Sequence, residues 1–348
     1  MRASVLALSL FGVVTVSASS GDRLSKHQEP VANCRPVCAN PAIRKEWRDL
    51  DRTTQQNYIS AVKCLTTKPA RINNYPGATL YDDFATVHMS VFKRIHFVAQ
   101  FFPWHRWFVH LYETALKDCG YDGNAIYWDW TRASRLSLMF SDAGLHVVDS
   151  PIFDPVTGFG GTGTNVTKPS PIATGPFANF TVVAYSDYSG HKDYGRPHYL
   201  ERQFTSQVVR NNTIIPIPAN EDGSMLSERY NESEMNSIMD NGKNFEMFRE
   251  PFEGIPHQAI HDTIGGDMSP SNSPNHHTNV DRWWWKWQRL NNSVNALQYT
   301  GNTVQGSRVQ DATAQDLMPF MGLLGGEDLP VSDVLLTSTL KLCYTYDY

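Results

Sequence analysis

Apolar residues recur at helical spacing in six stretches of this chain. The first runs from Arg44 to Leu65, with Trp47, Leu50, Tyr58, Val62 and Leu65 on one face. The others are Asp82 to Arg94, Trp104 to Lys117, Glu232 to Phe248, His257 to Ile264, and His277 to Leu290. Pro103 marks the start of the third, because proline is tolerated in a first helical turn and disrupts an interior. Between the third and fourth, residues 141–230 are rich in Gly, Pro, Ser and Thr, with apolar residues such as Phe177, Phe180 and Tyr199 interspersed. A loop region of that length inside a compact domain usually serves a site. Its run Gly158-Phe159-Gly160-Gly161-Thr162-Gly163 lacks the Lys-Ser/Thr ending of a phosphate loop and reads as turns. The tail, Val334 to Tyr348, alternates like a short strand or extended clasp. The pattern predicts a mainly α domain with long loops and a few short strands.

Composition narrows the function. With 348 residues, 41% of them hydrophobic, the chain is long enough to bury one large core. Its 30 basic and 35 acidic residues leave no basic footprint for nucleic acid. Arg2, the apolar run Val5 to Val14, and Val16-Ser17-Ala18 fit a cleaved secretory signal over 1–18, too short to span a membrane. A polar lead-in over 19–33 then precedes a single domain, 34–348. Sequons at Asn165, Asn179, Asn211, Asn231 and Asn291 agree with secretion. Five cysteines (Cys34, Cys38, Cys64, Cys119, Cys343) allow two disulfides and one leftover thiol. Cys34 and Cys38 are each expected to pair with a distant partner, and Cys343 is placed to clasp the N-terminal segment.

The chemistry lies in the histidines. His88, His96 and His105 form one cluster, the last inside Phe102-Pro103-Trp104-His105-Arg106. His257 and His261, four apart and so on one helix face, form a second with the pair His276-His277. Imidazole without nearby cysteine suits copper or zinc, and facing helices are a common scaffold for such sites. Two trios from distant parts of one chain point to two metals side by side and to dioxygen chemistry. The zinc-protease pattern fails, because Gln258 stands where its glutamate base would be. His27, His110, His146, His191 and His198 have weaker context and read as surface or structural residues.

Several motifs together carry a resemblance: Phe102 to Arg106 with Glu113, Tyr127-Trp128-Asp129-Trp130, Gly158 to Gly161, Gly175-Pro176-Phe177, Glu253-Gly254-Ile255-Pro256-His257 with His261, Gly265 to Met268, His276 to Gln288, and Tyr344-Thr345-Tyr346. The chain resembles the tyrosinase family of binuclear type 3 copper proteins, specifically the short secreted fungal polyphenol oxidases. The resemblance implies a four-helix bundle core holding two copper ions. His88, His96 and His105 would bind the first and His257, His261 and His277 the second, with His276 a non-ligand neighbour. It implies oxidation of o-diphenols to o-quinones with dioxygen, in some members after hydroxylation of monophenols. Glu253 sits where the family keeps a water-orienting glutamate, although a glutamate at a helix N-terminus is favourable in any case. Gln258 replaces an asparagine found in many hydroxylating members, which favours diphenol oxidation. Arg94 stands where some fungal relatives have a thioether cysteine, so His96 is expected unmodified. The chain stops soon after Tyr346, so no C-terminal shielding domain is expected.

One segment departs from the family. Relatives carry an Asp-Pro-x-Phe stretch before the His-His pair, whereas this chain has only Ser269-Pro270-Ser271-Asn272-Ser273-Pro274-Asn275. A one-turn shift moves a helical side chain by about 5.4 Å, beyond ligand tolerance. With the flanking ligands and Asp281 intact, a working site is expected. The competing readings are a hemocyanin-like dioxygen binder, a copper-impaired relative, and a zinc hydrolase. The phenolic substrate and the oligomeric state are not legible.

Overall fold

Asp51 decides where the first helix begins. Its carboxylate accepts from the Thr54 amide at 2.9 Å, and helix α1 spans Arg52–Leu65, later than the expected start at Arg44. Arg44 instead ends strand β1 (Ala42–Arg44) and points into the core from extended backbone. The computed structural model describes residues 38–132, 147, 150–164, 170–183, 197–204, 208–210, 213–215, 226–268 and 274–347. The expected signal at 1–18, the lead-in, Cys34, His27, His146, His191, and the sequons at Asn165 and Asn211 lie outside these residues.

Helix α2 (Leu80–Ser90) opens with a capping box between Thr79 and Asp82 and ends at Val91. The single helix expected over 82–94 is thus broken, and a short α3 (Phe92–Ile95) follows. Helix α4 (Phe101–Asp118) starts slightly earlier than expected, with Pro103 in its first turn, where a missing N–H costs no helical bond. The helix expected over 232–248 is two: α5 (Glu232–Asn241) and α6 (Phe245–Phe252). Gly242 separates them. A side chain there would meet the Phe248 Cβ at 2.9 Å, and the Gly242 carbonyl accepts from the Trp287 indole at 2.7 Å. A π-turn, Glu253–His257, runs directly from α6 into α7 (Gln258–Ile264). Helix α8 (Pro274–Leu290) begins three residues before His277, and a short α9 (Asn292–Asn295) follows it.

Four helical segments (α2, α4, the continuous α6–α7 unit, and α8) form the core, as expected. Phe84 of α2 packs on Phe108 of α4 with ring centroids 5.6 Å apart. Phe102 of α4 stacks on Phe248 of α6 at 5.2 Å and on Trp284 of α8 at 5.5 Å. The disulfide Cys64–Cys119 joins the ends of α1 and α4. The tail is the expected clasp: Tyr344–Tyr346 pairs in parallel with β1, and Cys343 bonds Cys38. The four described cysteines pair among themselves, so the distant partner expected for Cys34 is not among them.

Between α4 and α5 the described strands form short antiparallel pairs, including Ser170–Pro171 with Glu201–Arg202 and Val208–Arg210 with Thr213–Ile215, beside short 3-10 turns such as Pro151–Phe153. The glycine run wraps a cation rather than a phosphate. The buried Arg202 guanidinium donates to the carbonyls of Phe159, Gly160 and Gly161. No described helix is long and apolar enough to cross a membrane.

Candidate metal centre

The bundle brings seven histidines to its centre. His88 lies near the end of α2, His96 just after α3, and His105 in the second turn of α4. His257 closes the π-turn, His261 follows one helical turn later, and His276 and His277 lie in the first turn of α8. None is more than 4% exposed. Two tight groups of ring nitrogens emerge, each within 4.8 Å of one another: His257, His261, His276 and His277, and His88, His105 and His277. His277 belongs to both. His96 belongs to neither, although its ring lies 4.9 Å from His88 and 5.1 Å from His105. It stacks on Phe92 at 4.3 Å, which holds it at the edge of the first group.

Hydrogen bonds settle how these rings are turned. The Nδ1 atoms of His96, His105 and His257 face the carbonyls of Phe92, Phe101 and Glu253, four residues back, at 3.3, 2.7 and 3.3 Å. His261 Nδ1 faces the Met268 carbonyl at 2.7 Å. A carbonyl only accepts, so each of these Nδ1 atoms carries the proton and each Nε2 is a bare lone pair. The Nε2 atoms of His257 and His261 then confront each other at 3.1 Å. Two buried lone pairs at that distance repel unless a cation lies between them.

Burial also keeps the rings neutral. It drives all seven pKa values down, His105 to about 3 and His261 to about 4, and the neighbouring imidazoles add to the effect at most of them. Neutral imidazole with Nδ1–H on a carbonyl is the form that binds metal. An all-nitrogen, cysteine-free donor set fits copper.

The carboxylate and amide beside the centre are both engaged. Glu253 is fully buried; it accepts from the Phe97 amide at 2.6 Å and from Arg249 at 3.1 Å. It therefore ties the π-turn to the residue after His96, which has a left-handed backbone (φ 56°). Burial, opposed by Arg249, raises its pKa to about 8. The Gln258 amide donates to Asp262 at 2.9 Å, along its own helix. Among the histidines read as structural, His110 stacks on Trp107 at 4.6 Å and His198 faces Asp267 at 3.0 Å.

Sequence reasoning passed over Arg249 and Arg44. The spacing of Arg249 and Glu253, four apart, was a usable signal for a helical ion pair. Nothing local marks Arg44, whose partners Glu113 and Asp281 are 69 and 237 residues away. A separate cleft of about 930 Å³ along α8, lined by Tyr127, Arg132, Trp283 and Lys286 among others, contains none of these histidines.

A helical bundle whose facing helices present two groups of neutral imidazoles defines a type 3 dicopper protein. Residues 78–290 match the common central domain of tyrosinase, and the chain belongs to the tyrosinase family. It is 36% identical over 341 residues to the tyrosinase-like protein phomQ1 of Diaporthe leptostromiformis, covering 92% of this chain and 81% of that one. It is 32% identical over 351 residues to the tyrosinase ustQ of Aspergillus flavus, covering 97% and 88%. A polyphenol oxidase variant from Thermothelomyces thermophila superposes with a TM-score of 0.68 at 26% identity, covering 88% of this chain and 89% of that one. The chain is thus a copper oxidase of this family, and its cofactor is a pair of copper ions.

Proposed function

We propose that this chain oxidises o-diphenols to o-quinones with dioxygen at a copper pair held by His88, His96, His105, His257, His261 and His277. The observation that carries the reading is the pair of unprotonated Nε2 atoms of His257 and His261, 3.1 Å apart and buried. Copper bound there would supply dioxygen binding and two-electron oxidation of the phenol. Each diphenol loses two electrons and two protons, so two diphenols reduce one dioxygen to two waters.

The chain's own residues hold this chemistry in place. The backbone carbonyls behind His96, His105, His257 and His261 fix ring orientation, and burial excludes water from the nitrogens. Hydroxylation of a monophenol also needs a base for the phenolic proton. Both Glu253 oxygens are occupied, by the Phe97 amide and by Arg249, and the Gln258 amide is held by Asp262. Both groups are thus engaged within the chain, which favours diphenols, and o-aminophenols of the same electron count, over monophenols. The apolar run near the N-terminus that reads as a secretory signal, the two disulfides and exposed sequon residues Asn179 and Asn291 support secretion as a glycoprotein. Its quinone product suits pigment or secondary-metabolite assembly.

Dioxygen uptake and quinone absorbance, measured on the copper-loaded protein with a catechol, an o-aminophenol and a monophenol, test this. Rapid uptake with the first two and slow uptake with the third is expected. Reversible dioxygen binding without quinone would make the chain a hemocyanin-like carrier, and failure to load copper would make it an impaired relative.

A further inference from the structure

We propose, on the dicopper reading, that Asp267 is a positioning residue for the second copper, acting through the backbone of its own turn on the ring of His261. It touches none of the histidines. The Nδ1–H groups of His96, His105 and His257 each face a carbonyl four residues back. Those carbonyls belong to the helical segment that carries or immediately precedes the histidine, so each ring is oriented as soon as that segment forms. His261 is different. Its Nδ1 faces the Met268 carbonyl at 2.7 Å, seven residues ahead and beyond the end of α7. The orientation of this ring therefore depends on where the turn Gly266–Met268 is placed.

That turn is held by the loop region rather than by the bundle. Gly265 and Gly266 both have positive φ, 58° and 61°, and reverse the chain directly after α7. A side chain on Gly266 would collide with the Glu201 carbonyl, so the turn lies against the strand Glu201–Arg202. Asp267 fastens it there. Its Oδ2 accepts from the Glu201 amide at 2.6 Å, and its Oδ1 accepts from His198 Nε2 at 3.0 Å. A carboxylate makes stronger bonds of this kind than a neutral acceptor, and this side chain is only 8% exposed. The Gln203 amide adds a bond to the Ile264 carbonyl at 3.3 Å. The strands between α4 and α5 thus reach one metal-binding ring through Asp267 and the Met268 carbonyl. A carboxylate that merely packed loops together would affect both coppers alike. Asp267 acts on one, because among the rings with a described Nδ1 partner only His261 takes its carbonyl from this turn.

Two readouts test this, one of them in the metal-free protein. Nitrogen NMR of the isotopically labelled histidines reports which ring nitrogen carries the proton, and His261→Gln identifies the His261 signals. The wild-type ring should show one form, protonated at Nδ1. Asp267→Ala, its fold checked by circular dichroism, should show both forms at His261 while His105 and His257 keep one. After copper loading, chelator competition should find one copper bound about 10–100-fold more weakly and the other unchanged. Asp267→Asn keeps one oxygen for the Glu201 amide; it should fall between the two proteins, and it carries the test if Asp267→Ala does not fold. A single Nδ1–H form with unchanged affinities in the folded variants would overturn the proposal and leave the dicopper reading intact, as would equal weakening of both coppers. A wild-type chain that binds no copper, with both forms still appearing in Asp267→Ala, would uphold the orientation of His261 by the turn and remove the dicopper reading.

Discussion

Arg106 and Asp281 meet in a fully buried ion pair, with 2.5 Å between Nε and Oδ1. Each is a near neighbour of a histidine in the centre: Arg106 follows His105 directly, and Asp281 lies one turn beyond His277. The pair therefore sets the rotation of α4 against α8, and with it the distance between the two histidine groups. Arg44 and the hydroxyls of Tyr344 and Tyr346 close the same network around Asp281.

Removing the Asp281 charge should cost far more than an ordinary substitution. Asp281→Asn leaves the buried Arg106 without a carboxylate and Arg44 with Glu113 alone, and is expected to destabilise the fold by about 3–5 kcal/mol. Tyr346→Phe removes one hydrogen bond from the same cluster and should cost only about 1–2 kcal/mol. Urea unfolding of the two variants checks the difference; equal losses would show that the carboxylate charge is not the centre of the network.

The Cys64–Cys119 bond closes a loop of 55 residues between α1 and α4. Chain entropy assigns such a cross-link about 4 kcal/mol. Replacing both cysteines by serine should lower the melting temperature by several degrees while leaving copper binding intact, because neither cysteine touches the histidines. Calorimetry with parallel copper analysis measures both.

Acid should unfold the metal-free protein in two stages. Burial, reinforced by Arg44, lowers the His110 pKa from 6.5 to about 4. The unfolded chain then takes up that proton first, and stability falls as pH drops from 6.5 toward 4. Burial opposes ionisation of Glu113 as well, but Arg44 and Lys117 outweigh it and hold its pKa at about 2 against 4.5. Its contribution is intact above pH 4.5 and is lost on the way down to about 2. The buried histidines of the centre, His105 and His261 among them, are lowered in the same direction and act over the same range. His110→Gln should therefore lessen the upper stage without abolishing it in a pH series of denaturant midpoints.

Gln258→Asn shortens the amide and gives up the reach to Asp262. If that bond is what keeps the amide from the phenol, the ratio of monophenol to diphenol turnover should rise in this variant. An unchanged ratio would remove Gln258 from the account of specificity.

Chelating the copper should expose the cost of the centre. The metal-free protein keeps the opposed lone pairs of His257 and His261 and should melt at lower temperature. Restored copper at about 1,000 times its Kd should return about 4 kcal/mol.

Much of the centre was legible before any coordinates. Histidines four apart, helix-capping residues and the proline before Trp104 are local signals. The helices bearing His105, His261 and His277 formed close to their expected bounds, while the one bearing His88 ended early. Errors gathered where long-range contacts overrule local pattern. Arg44 leaves the helical register because its partners lie on α4 and α8. Gly242 splits a periodic stretch because Phe248 and Trp287 press against its backbone.

By itself the sequence determined the kind of donor, the number of histidines and the helices that bear them, since these follow from residue type and spacing. That His277 lies within reach of both histidine groups, and that Glu253 and Gln258 are held by Phe97, Arg249 and Asp262, only the tertiary structure decided. Helical periodicity specifies the angle between neighbouring side chains but not the rotation of one helix against another. That rotation is set by packing and by buried charges that meet from opposite ends of the chain.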